Sequence, residues 1–251
     1  LQLAILIENM RREGFELTVS RPKVVFKTDE NTGQRLEPIE ETIIDIDDAH
    51  TGVVVQKLSE RRGDLMEMRP SGGGRTRMVF LVPTRGLLGY QAELLSDSRG
   101  TAVMNRLFHS YAPFKGEIQG RRQGVLISNG MGEATAYSIF NLQDRGLFMI
   151  GAQARVYEGM IVGEHSRDND LVVNVVQGKK LTNVRASGKD EALTLVPPMR
   201  LTLEKAMSYI TDEELVEITP ESIRLRKRWL DPNERKRQER KRESEREAGA
   251  A

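Results

Sequence analysis

Hydrophobic and polar positions change period several times along the chain, and each change marks an element. Leu3, Leu6, Ile7 and Met10 follow the i, i+3, i+4, i+7 spacing of a helix with one buried face, and Gly14, after Arg11 and Arg12, suits a C-terminal cap. FELTVSRP and KVVFK then read as extended segments, ended by Pro22 and by the turn-rich TDENTG, with residues 35–38 as a linker. From Glu40 the pattern predicts a complete unit: strand ETIIDID, helix TGVVVQKLSERRG, strands DLMEMRP and RTRMVFLVP across SGGG, helix LLGYQAELLSDS, and closing strand TAVMNRLFHSY. This βαββαβ order is the split unit of ferredoxin-like folds. Val53, Val54 and Val55 argue against the first helix on propensity alone. A helix ending in Arg-Arg, a Gly, and a strand ending in Arg-Pro recur at residues 11–22 and 61–70, which fits either two related units in tandem or chance.

Past Gly116 the texture becomes short β-like runs (GVLISN, TAYSIF, ARVYEGMIVGEH, DLVVNVV) separated by Gly, Asn and Asp, as in a small barrel or curled sheet. The polar connection QGKKLTNVRASGKDE follows, then the Pro197-Pro198 break and a helix LEKAMSYI that Thr202 can cap. LVEITP and SIRLRKRW read as strands. Asp231 at an N-cap and Pro232 at the first helical position start a terminal helix without an apolar face, expected to be solvated and frayed unless a partner orders it. The fold class expected is α+β: ferredoxin-like βαββαβ domains followed by a β-rich, small barrel-like C-terminal domain with one or two helices.

Composition narrows the function. The 251 residues contain no Cys, which removes disulfides, Cys-ligated zinc and thiol nucleophiles and fits a reducing cytoplasm. No apolar run approaches the roughly 20 residues of a membrane span. The opening LQLAILIENMRREG lacks an initiator Met, so the chain is expected to be a fragment of something longer. Its 38 basic and 37 acidic residues nearly cancel, but their distribution is uneven. From Arg224 onward eleven Lys or Arg face six Asp or Glu (+5), leaving 27 against 31 (−4) before it. Segregated positive charge suggests an anionic partner.

The search for catalytic chemistry is negative. The three His residues show no metal-ligand spacing, and His50 beside Asp47 and Asp48 reads as a capping or surface residue. Asp45 and Asp47 share a strand face, read as a solvated acidic surface rather than a cation site. SGGGRTR lacks the phosphate-loop spacing and joins two strands, so it reads as a glycine-rich hairpin. Residues 128–133 form a loop without a nucleophile elbow. The expectation is no enzyme, no metal and no cofactor in this chain.

Two basic segments remain. GKKLTNVRASGK, residues 178–189, carries Lys179, Lys180, Arg185 and Lys189 and no anion, with Thr182, Asn183 and Ser187 between them. It reads either as a phosphate- and sugar-binding loop or as a solvated connection. In IRLRKRW, strand alternation puts Arg224, Arg226 and Arg228 on one face and Lys227 on the other, beside Trp229. Three like charges repel unless an anion or acidic partner neutralises them, which favours nucleic acid. In ERKRQERKRESERE the cations alternate with Glu and read as i, i+4 pairs on a solvated helix.

The strings LQLAILIENMRREGFELTVSRPKV, EPIEETIIDI, PSGGGRTRMVFLVPTRGLLGY, GEATAYSIFNLQDRG and GKKLTNVRASG closely resemble the C-terminal half of the TypA/BipA family, ribosome-associated translational GTPases similar to elongation factor G and LepA. The resemblance covers nearly the whole chain. It implies a remnant of a first ferredoxin-like domain at 1–36, a second at 37–115 and a family-specific C-terminal domain with a basic helical tail at 116–251. It also implies that GTP and magnesium belong to the full-length family and not to this fragment. The partners implied are the ribosome, through large-subunit rRNA and A-site tRNA, with no membrane; the expected state is a cytoplasmic monomer. Lys179, Lys180, Asn183, Arg185 and Ser187 match the family's RNA-contacting loop, and Lys189, Arg224, Arg226 and Arg228 join them as RNA-binding candidates from charge. The alternative is a protein-interaction module, suggested by the six acids without a cation between Glu37 and Asp48.

Overall fold

A computed structural model describes residues 2–118, 120, 121, 123–178 and 194–249. In chain order the elements are α1 (Gln2–Arg12), β1 (Leu17–Ser20), β2 (Lys27–Thr28), β3 (Arg35–Asp47), α2 (Thr51–Glu60), β4 (Asp64–Gly72), β5 (Arg75–Pro83), α3 (Tyr90–Asp97) and β6 (Val103–Pro113). There follow β7 (Val125–Ser128), β8 (Gly132–Glu133), α4 (Ala136–Leu142), β9 (Gly146–Phe148), β10 (Arg155–Val156), β11 (Met160–His165) and β12 (Leu171–Val173). The last are α5 (Leu203–Tyr209), β13 (Glu214–Ile218), β14 (Ile223–Lys227) and α6 (Pro232–Gly249). The chain divides into two compact units, residues 22–120 and residues 1–21 with 121–251.

In the 22–120 unit the four long strands run antiparallel in the order β4-β5-β3-β6, with β2 on the start of β3. This is the arrangement that the βαββαβ pattern predicts. Alternate residues Ile44 and Ile46 of β3 and Met78, Phe80 and Val82 of β5 turn to one face, where Val54 and Leu58 of α2 and Tyr90 and Leu94 of α3 bury them. Tertiary packing of these two apolar stripes overrides the weak helix propensity of the valine run in α2. Gly72, Gly73 and Gly74 join β4 to β5 with φ of +86°, +63° and +74°, a turn that glycine adopts without strain. Residues 35–38, expected as a linker, belong instead to β3, because both β2 and β6 supply hydrogen-bonding partners there.

In the other unit the sheet order is β1-β13-β14-β11-β7-β12, with β9 also on β11, and among the described residues it does not close into a barrel. Val125, Ile127 and Ile161 point to one side, into a core with Ala4 and Ile7 of α1 and Leu203, Ala206 and Ile210 of α5. Leu126, Met160 and Val162 point to the other, into a core with Ile139 of α4 and Val156 of β10. Coverage of both faces explains why VLI of β7 and MIVG of β11 are continuously apolar rather than alternating. Two expectations change. TAYSIF contains the helix α4, capped by Thr135, whose hydroxyl accepts from the Ser138 amide at 3.1 Å. In α1 the buried residues are Ala4 and Ile7, while Leu3 and Leu6 stay 46% and 55% exposed, because the helix meets α5 along a different stripe.

Candidate nucleic-acid interface

Described residues on either side of the acid-free segment bond to α4 and its caps. Gln177, just before it, offers its carbonyl to Thr135 Oγ1 at 2.7 Å and to Ser138 Oγ at 2.6 Å, at the start of that helix. Val196, just after it, donates its amide to Gln143 Oε1 at 3.3 Å, at the helix end. Gly132 packs beside the first stem at φ +153°, where a Cβ would lie 2.4 Å from Val176 Cγ1. Lys179, Lys180, Asn183, Arg185, Ser187 and Lys189 themselves lie outside the described residues.

Strand β14 carries the other candidates. Leu225 and Lys227 are buried, so Arg224 and Arg226 take the opposite face, as alternation predicts. Acid from the neighbouring strand answers them: Arg226 Nε lies 2.8 Å from Glu217 Oε1, and Glu217 stands directly across from Arg224 in the β13–β14 register. Tyr157 donates its hydroxyl to the same carboxylate, and burial together with this bond pushes its phenol pKa up. Arg224 also lines a groove with Glu16, Glu217 and Glu221. Arg228, just past the strand, is exposed and donates its amide to the Glu213 carbonyl at 2.7 Å.

Behind β14 is a buried charge network that sequence reasoning missed. Lys227 Nζ lies 2.8 Å from Glu214 Oε1 and 2.6 Å from Asp170 Oδ2. Arg121 grips Glu214 with both terminal nitrogens, at 3.1 and 3.0 Å. The Thr211 amide donates to Glu214 Oε2 at 3.0 Å. Burial alone would raise the Glu214 pKa, but the Arg121 hydrogen bonds and the Lys227 charge hold it down to about 2. The available signal was parity: ELVEI puts Glu214 on the same face as Val216 and Ile218, and RLRK puts Lys227 with Leu225.

The terminal helix is docked through arginines. Asp231 Oδ1 accepts from the Asn233 and Glu234 amides, both at 2.8 Å, as expected of the N-cap. Arg235 donates to the Trp229 carbonyl at 3.2 Å and to that of Leu230, and burial lowers its pKa. Arg242 pairs with Glu213 and sits 5.3 Å from the Trp229 ring centre, with Arg228 at 6.0 Å. A helix without an apolar face is thus held by cation–π and ionic contacts.

The acidic stretch is largely neutralised within its own unit. Glu37 is fully buried against Arg85 and the Lys115 amide, and Glu40, Asp45 and Asp47 pair with Arg106, Arg77 and Arg75. The paired hydrogen bonds from Arg77 lower the Asp45 pKa. Among the described residues no group of three or more His, Asp or Glu is arranged to hold a metal, and no helix is long and apolar enough to cross a membrane.

Residues 123–232 match the family model described as the TypA/BipA C-terminal domain, and residues 34–122 match the elongation factor G C-terminus. The large ribosomal subunit assembly factor BipA of Escherichia coli K12 is 54% identical over 238 residues, covering 94% of this chain and 39% of the relative. The factors of the same name from Haemophilus influenzae and Bacillus subtilis are 50% and 48% identical, over 94% and 97% of this chain. The chain spans about 39% of the length of the curated relatives it matches.

Proposed function

The chain belongs to the TypA/BipA family, and from that premise we propose that it is the ribosome-docking part of a translational GTPase that assists large-subunit assembly. In this reading the basic loop at 178–189 contacts large-subunit rRNA and the acceptor end of A-site tRNA, with family roles in cold and stress adaptation. By the resemblance residues 1–36 derive from a preceding ferredoxin-like domain, although in this chain 1–21 pack with 121–251; 37–115 form the second such domain, and 116–251 form the family-specific domain of a cytoplasmic monomer. GTP, magnesium and hydrolysis lie elsewhere in the whole protein. Lys179, Lys180, Arg185 and Lys189 supply charge, while Asn183 and Ser187 supply short polar contacts. Arg228, exposed and just past β14, is the best placed of the three arginines, since Arg224 and Arg226 already face Glu217.

The observation that carries this reading is the concentration of four cations without an anion at 178–189, inside the segment that matches the TypA/BipA C-terminal domain. If about four phosphates are neutralised, the log–log salt slope is near −3, so binding to purified large subunits should weaken roughly 50-fold between about 50 and 200 mM salt. Replacing Lys179, Lys180 and Arg185 together with Ala should lower the affinity and flatten that dependence. Unchanged binding by the triple variant would remove the loop from the interface.

A further inference from the structure

The 22–120 unit carries an exposed group of rings and cations on one face of its sheet, along β6 and across the start of β3. In the β3–β6 and β2–β3 registers, Thr42, Glu40, Pro38 and Leu36 stand opposite Arg106, Phe108, Tyr111 and Lys27. Alternate residues of β3 share a face, so Arg106, Phe108 and Tyr111 follow one another on that face along β6, and Lys27, on β2 across β3, reaches the Tyr111 ring from the other side. The register shift between Ile39 and Glu40 absorbs His109 and keeps Phe108 and Tyr111 on the same side. Their ring centres lie 5.5 Å apart at 58°, and Lys27 Nζ is 4.2 Å from the Tyr111 ring. Phe108 is 62% exposed, the most exposed phenylalanine among the described residues. Arg106 and His109 beside it are also exposed. Glu40 approaches this row, 3.8 Å from Arg106.

We propose that this row is a stacking site for single-stranded RNA, separate from the loop at 178–189: an unpaired base stacks on Phe108, and the flanking phosphates meet Lys27 and Arg106. Each part of the row has a reason to prefer that ligand. An exposed ring offers a π-face that any base can cover, and the two cations reach the backbone on either side. Residues two apart on a strand are separated by about 6.6 Å, a step that an extended single strand can follow but stacked bases of a duplex cannot. A protein-docking centre would instead be depleted in charge.

The test uses the chain with Lys179, Lys180 and Arg185 already changed to Ala, so that failure of the loop reading does not decide the result. Fluorescence anisotropy with a short labelled oligoadenylate should show salt-sensitive binding. Phe108→Ala should weaken it about 5- to 100-fold, while Phe108→Tyr retains it. Lys27→Gln with Arg106→Gln should reduce the salt slope by about 1.4. Urea midpoints close to the parent's identify folded variants, and the Tyr variant keeps the ring in place if the Ala variant fails to fold. The proposal is overturned if the loop-substituted chain binds no oligoadenylate, or if folded Phe108→Ala and the double Gln variant bind like the parent. It is equally overturned if Phe108→Ala abolishes self-association in sedimentation while leaving RNA affinity unchanged, since the row would then be a protein surface.

Discussion

Glu214 and Lys227 face each other across β13 and β14 at positions that strand parity assigns to the core, and both are buried. A charge enters such a site only with partners, and Arg121, Asp170 and the Thr211 amide complete the set. This sets a pH dependence of known sign. The Glu214 pKa is about 2 in the folded protein against an ordinary 4.5, so its stabilisation is complete above about pH 4.5 and is lost as pH falls toward 2. The total is about 3 kcal/mol. Glu214→Gln should therefore cost about 3–5 kcal/mol near neutrality, because Arg121 loses its charged partner and Lys227 one of its two, and should flatten the acid loss between pH 4.5 and 2. Urea melts at several pH values check both; a variant with the parent's acid slope would show that the network does not titrate as described. Part of this was legible: the alternation in ELVEI and IRLRK places both residues inward. Arg121 was not, because it lies 93 residues from Glu214 and no local period links them.

Short apolar runs are ambiguous at the scale of one element, and α4 shows what decides them. TAYSIF satisfies a strand pattern as well as a helical one, and the arbiter is Thr135, whose hydroxyl caps the first turn while bonding the Gln177 carbonyl. The long βαββαβ stretch was legible because β3 and β5 alternate between buried and partly exposed positions and the glycine run between β4 and β5 marks a tight turn. The basic strand was only half legible. Its arginine face follows from alternation, but its compensating Glu217 sits on a neighbour that only pairing reveals. For α6 the sequence identifies the cap and the lack of an apolar face, yet the helix is anchored by Arg235, Arg242 and the Trp229 ring. Trp229→Ala should accordingly leave the melting of the sheet nearly unchanged while raising amide exchange across 235–244. The contacts removed are worth about 0.5–1 kcal/mol each, enough to change local opening several-fold. Hydrogen exchange read by mass spectrometry tests this, and unaltered protection of α6 would mean that the Trp229 ring does not anchor the helix.

The whole chain folds by a connection that no sequence window contains. Residues 1–21 and 121–251 build one unit, with residues 22–120 as a separate compact unit between them in sequence. Strand β1 pairs antiparallel with β13 from Leu17–Ile218 to Ser20–Leu215, covering an edge that would otherwise expose its backbone groups. Helix α1 adds Ala4 and Ile7 to the core beneath, and Arg11 Nε donates to the Pro220 carbonyl at 3.2 Å. Local pattern identifies α1 and β1 as elements, but their apolar residues say nothing about which distant strand completes them. That is also why the buried stripe of α1 was misread, since Ala4 gains its importance only from α5. Deleting residues 1–21 should then act selectively. Loss of the burial that Ile7, Leu17 and Val19 make with this core removes roughly 3 kcal/mol or more, so the transition of the 121–251 part should shift to lower temperature by several degrees. The 22–120 unit keeps its own core of α2, α3 and the β3–β6 sheet and should melt as before. Calorimetry of the full and shortened chains separates the two: a uniform shift of both transitions, or none, would mean that the N-terminal segment does not belong energetically to the C-terminal unit.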